Sequence, residues 1–112
     1  KDYLIVDVRD NDYIGGHIKG SINMPSNEFR NEVQNFHSNN KGIKKIIFHC
    51  ALSQVRGPKC ATIYSNYLAS LNDDLNQDSQ IYILRGGFTS WQYLYGNNSE
   101  LTEDYNSELW KE

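Results

Sequence analysis

The stretch Ile46-Ile47-Phe48-His49-Cys50-Ala51-Leu52-Ser53-Gln54-Val55-Arg56-Gly57-Pro58 decides the reading of this chain. Ile46-Ile47-Phe48 is apolar without alternation, as a central parallel strand covered on both faces requires. Five residues then separate Cys50 from Arg56, and Gly57-Pro58 leads into a helical pattern. Proline is tolerated in the first turn of a helix, and glycine permits a tight crossover before it. The order strand, short loop, helix start puts Cys50 beyond the carboxyl end of a strand, which is where open α/β sheets bind ligands.

The residue types in that loop point to one chemistry. Backbone amides of residues 51–56 can turn inward as an anion nest, and a helix N-terminus behind them adds partial positive charge. Both favour the thiolate form of a cysteine, which is its nucleophilic form. Arg56 closes the loop with planar, paired donors that match two oxygens of a phosphate or arsenate. Cys50 and Arg56 are the expected catalytic residues, and Ala51, Leu52, Ser53, Gln54, Val55 and Arg56 the expected phosphate loop. The Ser53 hydroxyl is a weaker candidate, for stabilising the departing thiolate when a cysteinyl-phosphate is hydrolysed.

Outward from the loop, strands alternate with helices. Tyr3–Val8 reads as a buried strand, followed by a helical turn through Asp12-Tyr13-Ile14 that Gly15-Gly16 stops. A short strand is expected over 21–24, ending at Pro25. Ser26 or Asn27 caps a helix carrying Phe29, Val33 and Phe36 on one face, which fades in a polar loop over 35–42. Ile43–His49 is the strand before the loop, and 58–71 a helix with Cys60, Ile63, Tyr64, Tyr67, Leu68 and Leu71 on one face. A polar connection over 71–80 leads to a strand at Ile81–Leu84, a turn at Arg85-Gly86-Gly87, and a helix from Phe88 to Tyr95. In the tail, Leu101, Tyr105, Leu109 and Trp110 are spaced to dock one last helix. This alternation predicts a mainly parallel α/β sheet with helices on both faces.

The 112 residues suit a single domain over 1–112. The opening at Lys1, directly into a strand pattern, points to a segment missing before it. A net charge of −3 argues against nucleic acid or an anionic membrane as partner, and there is no run of apolar residues long enough for a transmembrane helix. Nothing suggests secretion, so the two cysteines read as free thiols in the cytoplasm or nucleus. Cys60 reads as a packing residue rather than a resolving thiol, and His49 as orienting the loop. His17, His49 and the cysteines lack metal-ligand spacing, so neither a metal nor a cofactor is expected. Asp7 and Asp10 stand near the site as candidate general acids, with Asp7 better suited to a structural role. Trp91 and Trp110 read as packing anchors.

With these residues in view, the chain resembles the rhodanese superfamily, and within it the cell-cycle dual-specificity phosphatase branch. Asp7-Val8-Arg9 with Gly16-His17-Ile18-Lys19-Gly20-Ser21 resembles the first signature. His49-Cys50 through Arg56-Gly57-Pro58 resembles the phosphatase loop, and Leu84-Arg85-Gly86-Gly87-Phe88 with Trp91 the late turn. The wording of the loop and the Trp91–Tyr95 segment are most similar to small single-domain members from yeasts and plants, the latter also called arsenate reductases. The resemblance implies a five-stranded rhodanese fold. It also implies hydrolysis of phosphorylated proteins or small aryl phosphates through a cysteinyl-phosphate. The alternatives are arsenate reduction with glutathione and glutaredoxin, or a phosphate-binding module with little turnover. Sulfurtransferases of this fold have a loop one residue shorter, so the length here favours a tetrahedral oxyanion. Two positions depart from the cell-cycle enzymes: Ala51 replaces a glutamate after the nucleophile, and Val8 replaces a cysteine that could protect it as a disulfide.

Overall fold

A computed structural model describes residues 2–71 and 79–110. The strands β1 (Tyr3–Asp7), β3 (Ile22–Asn23), β4 (Lys45–His49) and β5 (Gln80–Ile83) form a four-stranded parallel sheet in the order β3-β1-β4-β5. Helices α1 (Ser26–Asn39), α2 (Arg56–Leu71) and α3 (Gly87–Tyr95) surround it. The remaining short strands, β2 (His17–Ile18) and β6 (Thr102–Glu103), pair antiparallel in a ladder of their own.

Strand periodicity explains the two faces. Leu4 and Val6 of β1 and Ile46 and Phe48 of β4 are all buried, in one cluster with Phe29, Phe36, Cys60, Tyr64 and Leu68 of α1 and α2. Phe29, Phe36, Phe48 and Tyr64 meet with ring centroids 5.1–6.4 Å apart, in mostly edge-to-face geometry. Cys60 is fully buried among them, and burial pushes its thiol up to about 11; it packs as a small apolar residue. The alternate residues Asp7 and His49 point to the opposite face, where Phe88 at the start of α3 lies against Arg9.

The structure differs from the sequence reading at several boundaries. The central sheet has four strands rather than five among the described residues. The first strand ends at Asp7, although the Val8 amide still donates to the His49 carbonyl at 2.8 Å. Helix α1 runs on to Asn39, because Phe36 and His37 are buried and Asn40 caps the end by donating to the Phe36 carbonyl. Neither Ser26 nor Asn27 is its N-cap: Pro25 holds that place without a side-chain bond, and Asp10 serves the end instead. Its carboxylate accepts from the Ser26 hydroxyl at 2.8 Å and the Asn27 amide at 3.3 Å. Helix α2 begins at Arg56, two residues early, which leaves Pro58 within its first turn. The polar connection expected over 71–80 lies mostly outside the described residues.

Among the described residues the tail forms no α-helix. After β6 it makes one short 3-10 turn, Ser107–Trp110. Trp110 anchors it, packing 5.3 Å from Phe88 and donating to the Gly15 carbonyl at 3.1 Å. Trp91 donates to Thr102 Oγ1 at 2.9 Å, so both tryptophans are packing anchors. No helix among the described residues is long and apolar enough to cross a membrane.

Candidate active site

The loop from Cys50 to Val55 joins the end of β4 to the start of α2, so its position is fixed by a buried strand on one side and a packed helix on the other. Cys50 is 3% exposed. The backbone amides of Ser53 and Gly57 donate to its Sγ at 3.2 and 3.3 Å. Two N–H groups aimed at one sulfur, at the N-terminus of a 16-residue helix, stabilise negative charge there. Ser53 reaches the sulfur through its amide. Its hydroxyl instead accepts from the Cys50 amide at 3.3 Å. This inward turn holds Ser53 at φ 56°, the left-handed region, where a non-glycine residue carries strain. Leu52, Gln54 and Val55 turn their side chains outward, with Val55 71% exposed.

The back of the loop is fastened by α3. Phe88 and Thr89 donate their amides to the carbonyls of Cys50 and Ala51 at 3.0 and 2.9 Å. This close approach needs Gly87, at φ +58°. A Cβ there would stand 2.4 Å from both of those carbonyl oxygens, inside any tolerable contact. Gly87→Ala is therefore expected to push the loop off α3. It should cost about 1–3 kcal/mol in urea unfolding and weaken oxyanion binding measurably.

His49 is fully buried. Its Nδ1 lies 3.1 Å from the Cys50 carbonyl, orienting the chain as it enters the loop. Desolvation holds the imidazole below its ordinary value, against the opposing pull of Asp7. Asp7 is itself fully buried in an ion pair with Arg9 at 2.7 Å. The carboxylate also accepts from Arg9 Nε and from the Arg9 amide. It is committed to holding Arg9 and does not face the loop opening as a free acid.

Arg56 does not stand alone over the loop. Its Nη1 and Nη2 donate to Asp12 Oδ1 and Oδ2 at 2.8 and 2.6 Å, and Nη1 also donates to Asp10 Oδ2 at 3.2 Å. The guanidinium is raised above its usual range, by the bonds from Asp12 first. Asp12 is lowered mainly by Arg56. Asp10 is lowered too: burial would raise it, but the bonds from Ser26, Asn27 and Arg56 prevail. Sequence reading placed Asp10 near the site but saw Asp12 only as part of a turn. The 3-10 turn Asn11–Tyr13 is what swings that carboxylate across to α2, and no motif marks it.

The model of the rhodanese-like domain matches residues 1–94. The chain belongs to the rhodanese family. Among its relatives, the CDC25-like phosphatase YCH1 of Saccharomyces cerevisiae is 34% identical over 97% of this chain and 78% of its own length. Arsenate reductase 2.2 of Oryza sativa is 39% identical over 79% of this chain and 68% of its own. Among solved structures, Ygr203w, described as a yeast protein tyrosine phosphatase of the rhodanese family, superimposes with a TM-score of 0.79. It is 32% identical, with 99% of this chain and 82% of that one covered. The fold of this rhodanese domain is thus that of its small phosphatase and arsenate reductase relatives.

Proposed function

We propose that this chain is a cysteine-dependent protein phosphatase of the tyrosine or dual-specificity type, with Cys50 as nucleophile and Arg56 as oxyanion clamp. The observation that carries the reading is the convergence of the Ser53 and Gly57 amides on Cys50 Sγ, in a loop that Arg56 closes. The thiolate attacks phosphorus in line, forming an S–P bond as the P–O bond to the substrate breaks. The leaving oxygen takes up a proton, and water then hydrolyses the cysteinyl-phosphate and returns the thiolate. Charge building on the equatorial oxygens is met by Arg56 and the loop amides. Residues 50–56 include no carboxylic acid, so the proton comes from outside the loop. The substrates are phosphorylated proteins, with small aryl phosphates as surrogates. Both cysteines are free, which suits a reducing compartment such as cytoplasm or nucleus. The test is release of phosphate from an aryl phosphate and its inhibition by vanadate; failure to release phosphate would sink the reading.

The likeness to proteins named arsenate reductases favours a second reading on the same loop. Arsenate is tetrahedral like phosphate, and its reduction takes two electrons from external thiols, here glutathione with glutaredoxin. This reading predicts arsenate-dependent NADPH oxidation in a glutathione-coupled assay. It is withdrawn if NADPH consumption does not respond to arsenate.

A further inference from the structure

We propose that Asp12 is the positioning residue for Arg56: it fixes the guanidinium by its outer edge so that the inner edge is offered to the oxyanion. The inference rests on the phosphatase reading of the loop and adds the residue that pre-orients its clamp.

A guanidinium carries five N–H groups, which form two usable edges. The end edge, one hydrogen each from Nη1 and Nη2, is filled by the two oxygens of Asp12 at 2.8 and 2.6 Å. The outward hydrogen of Nη1 goes to Asp10 at 3.2 Å. The side edge, Nε with the inner hydrogen of Nη2, meets no protein acceptor among the described residues. That edge has the same spacing as the end edge and fits two oxygens of a tetrahedral anion equally well. Arg56 is the first residue of α2 and directly follows Val55, which sets it beside the loop the anion would occupy.

The acidic pair is itself anchored. Asp10 is tied to the start of α1 through Ser26 and Asn27. Asp12 accepts the Asp10 amide at 3.1 Å, and its carbonyl accepts from the buried Arg9 at 3.2 Å. A flexible arginine side chain loses conformational entropy when it clamps a ligand; holding it beforehand removes part of that cost. The two carboxylates therefore have opposite effects at once. Their field repels an incoming anion, while their hydrogen bonds orient the group that binds it.

This opposition gives the test a sign. Tungstate binding is measured by calorimetry on the wild type, Asp12→Ala and Asp12→Asn, each also in an Arg56→Lys background. Removing a negative charge near an anion site tightens binding if charge is all that matters. Positioning predicts the reverse: Asp12→Ala weakens tungstate binding about three- to tenfold, and Asp12→Asn, which keeps one acceptor, weakens it less. In the Arg56→Lys background, where an ammonium lacks the two-edged fork, the Asp12→Ala effect disappears or reverses. Tighter or unchanged binding in Asp12→Ala overturns the proposal while leaving the phosphatase reading intact. Equal weakening in both backgrounds also overturns it, since Asp12 would then act through the turn and not through Arg56. A wild type that binds no tungstate overturns the proposal together with the oxyanion reading on which it rests.

Discussion

Cys50→Ser is expected to lower kcat/KM for an aryl phosphate by at least about 1,000-fold while leaving the unfolding curve nearly unchanged. The substitution exchanges sulfur for oxygen and little else, so the buried position and its neighbours are kept. Under the proposed mechanism, what is lost is the sulfur nucleophile. The Ser53 and Gly57 amides stabilise a thiolate at 3.2 and 3.3 Å, but two hydrogen bonds are too little to ionise a hydroxyl near neutral pH. A serine nucleophile needs an adjacent base, and the loop offers none. His49 directs Nδ1 to the Cys50 carbonyl, and its other nitrogen faces Asp7, 3.7 Å away. Tungstate should still bind to Cys50→Ser, because the other loop amides and Arg56 are untouched. Turnover at the wild-type rate would show that Cys50 is not the nucleophile. Loss of both turnover and tungstate binding would instead show that the sulfur holds the loop in shape.

Much of this architecture is local enough to be legible in sequence. The loop follows from a continuous apolar strand, a Cys-to-Arg spacing and Gly57-Pro58, all within 13 consecutive residues. The α1 and α2 faces follow from helical spacing of Phe29, Phe36, Tyr64 and Leu68. What sequence did not reveal depends on contacts between distant segments. Asp12 reaches Arg56 across 44 positions, and Trp110 reaches Gly15 across 95. The tail's apolar spacing suggested a helix, but β6 pairs with β2 and draws the chain into an extended path. Gly87 was visible as part of a turn. That the loop's carbonyls sit where its Cβ would be is a packing fact that no local pattern encodes.

Arg9→Ala is expected to cost about 3–5 kcal/mol of unfolding free energy and to lower the melting temperature by more than about 10 °C. Arg9 and Asp7 are both fully buried, and the guanidinium forks the carboxylate through Nε at 3.0 Å and Nη2 at 2.7 Å. Two charges this deep are tolerated only because each satisfies the other. Removing the cation leaves Asp7 a buried anion beside His49, and that desolvation penalty dominates the expected loss. Packing adds to it, since the guanidinium lies 4.3 Å over the Phe88 ring and 5.3 Å from that of Tyr13. Asp7→Asn should also be strongly destabilising, because it leaves the Arg9 guanidinium a buried cation and sets an amide nitrogen, itself a donor, against one arm of the fork. Combining the two substitutions should therefore cost less than the sum of the single losses. Arg9 also carries the site: its Nη1 holds the Asp12 carbonyl at 3.2 Å, inside the turn that brings Asp12 to Arg56, and its Nη2 the Gly16 carbonyl at 2.8 Å, just after that turn. A milder change, Arg9→Lys, keeps the charge but loses the fork, so oxyanion affinity should fall even in protein that remains folded. An Arg9→Ala variant destabilised by less than about 1 kcal/mol in urea unfolding would show that water reaches Asp7 and that the pair is not a structural centre of the fold.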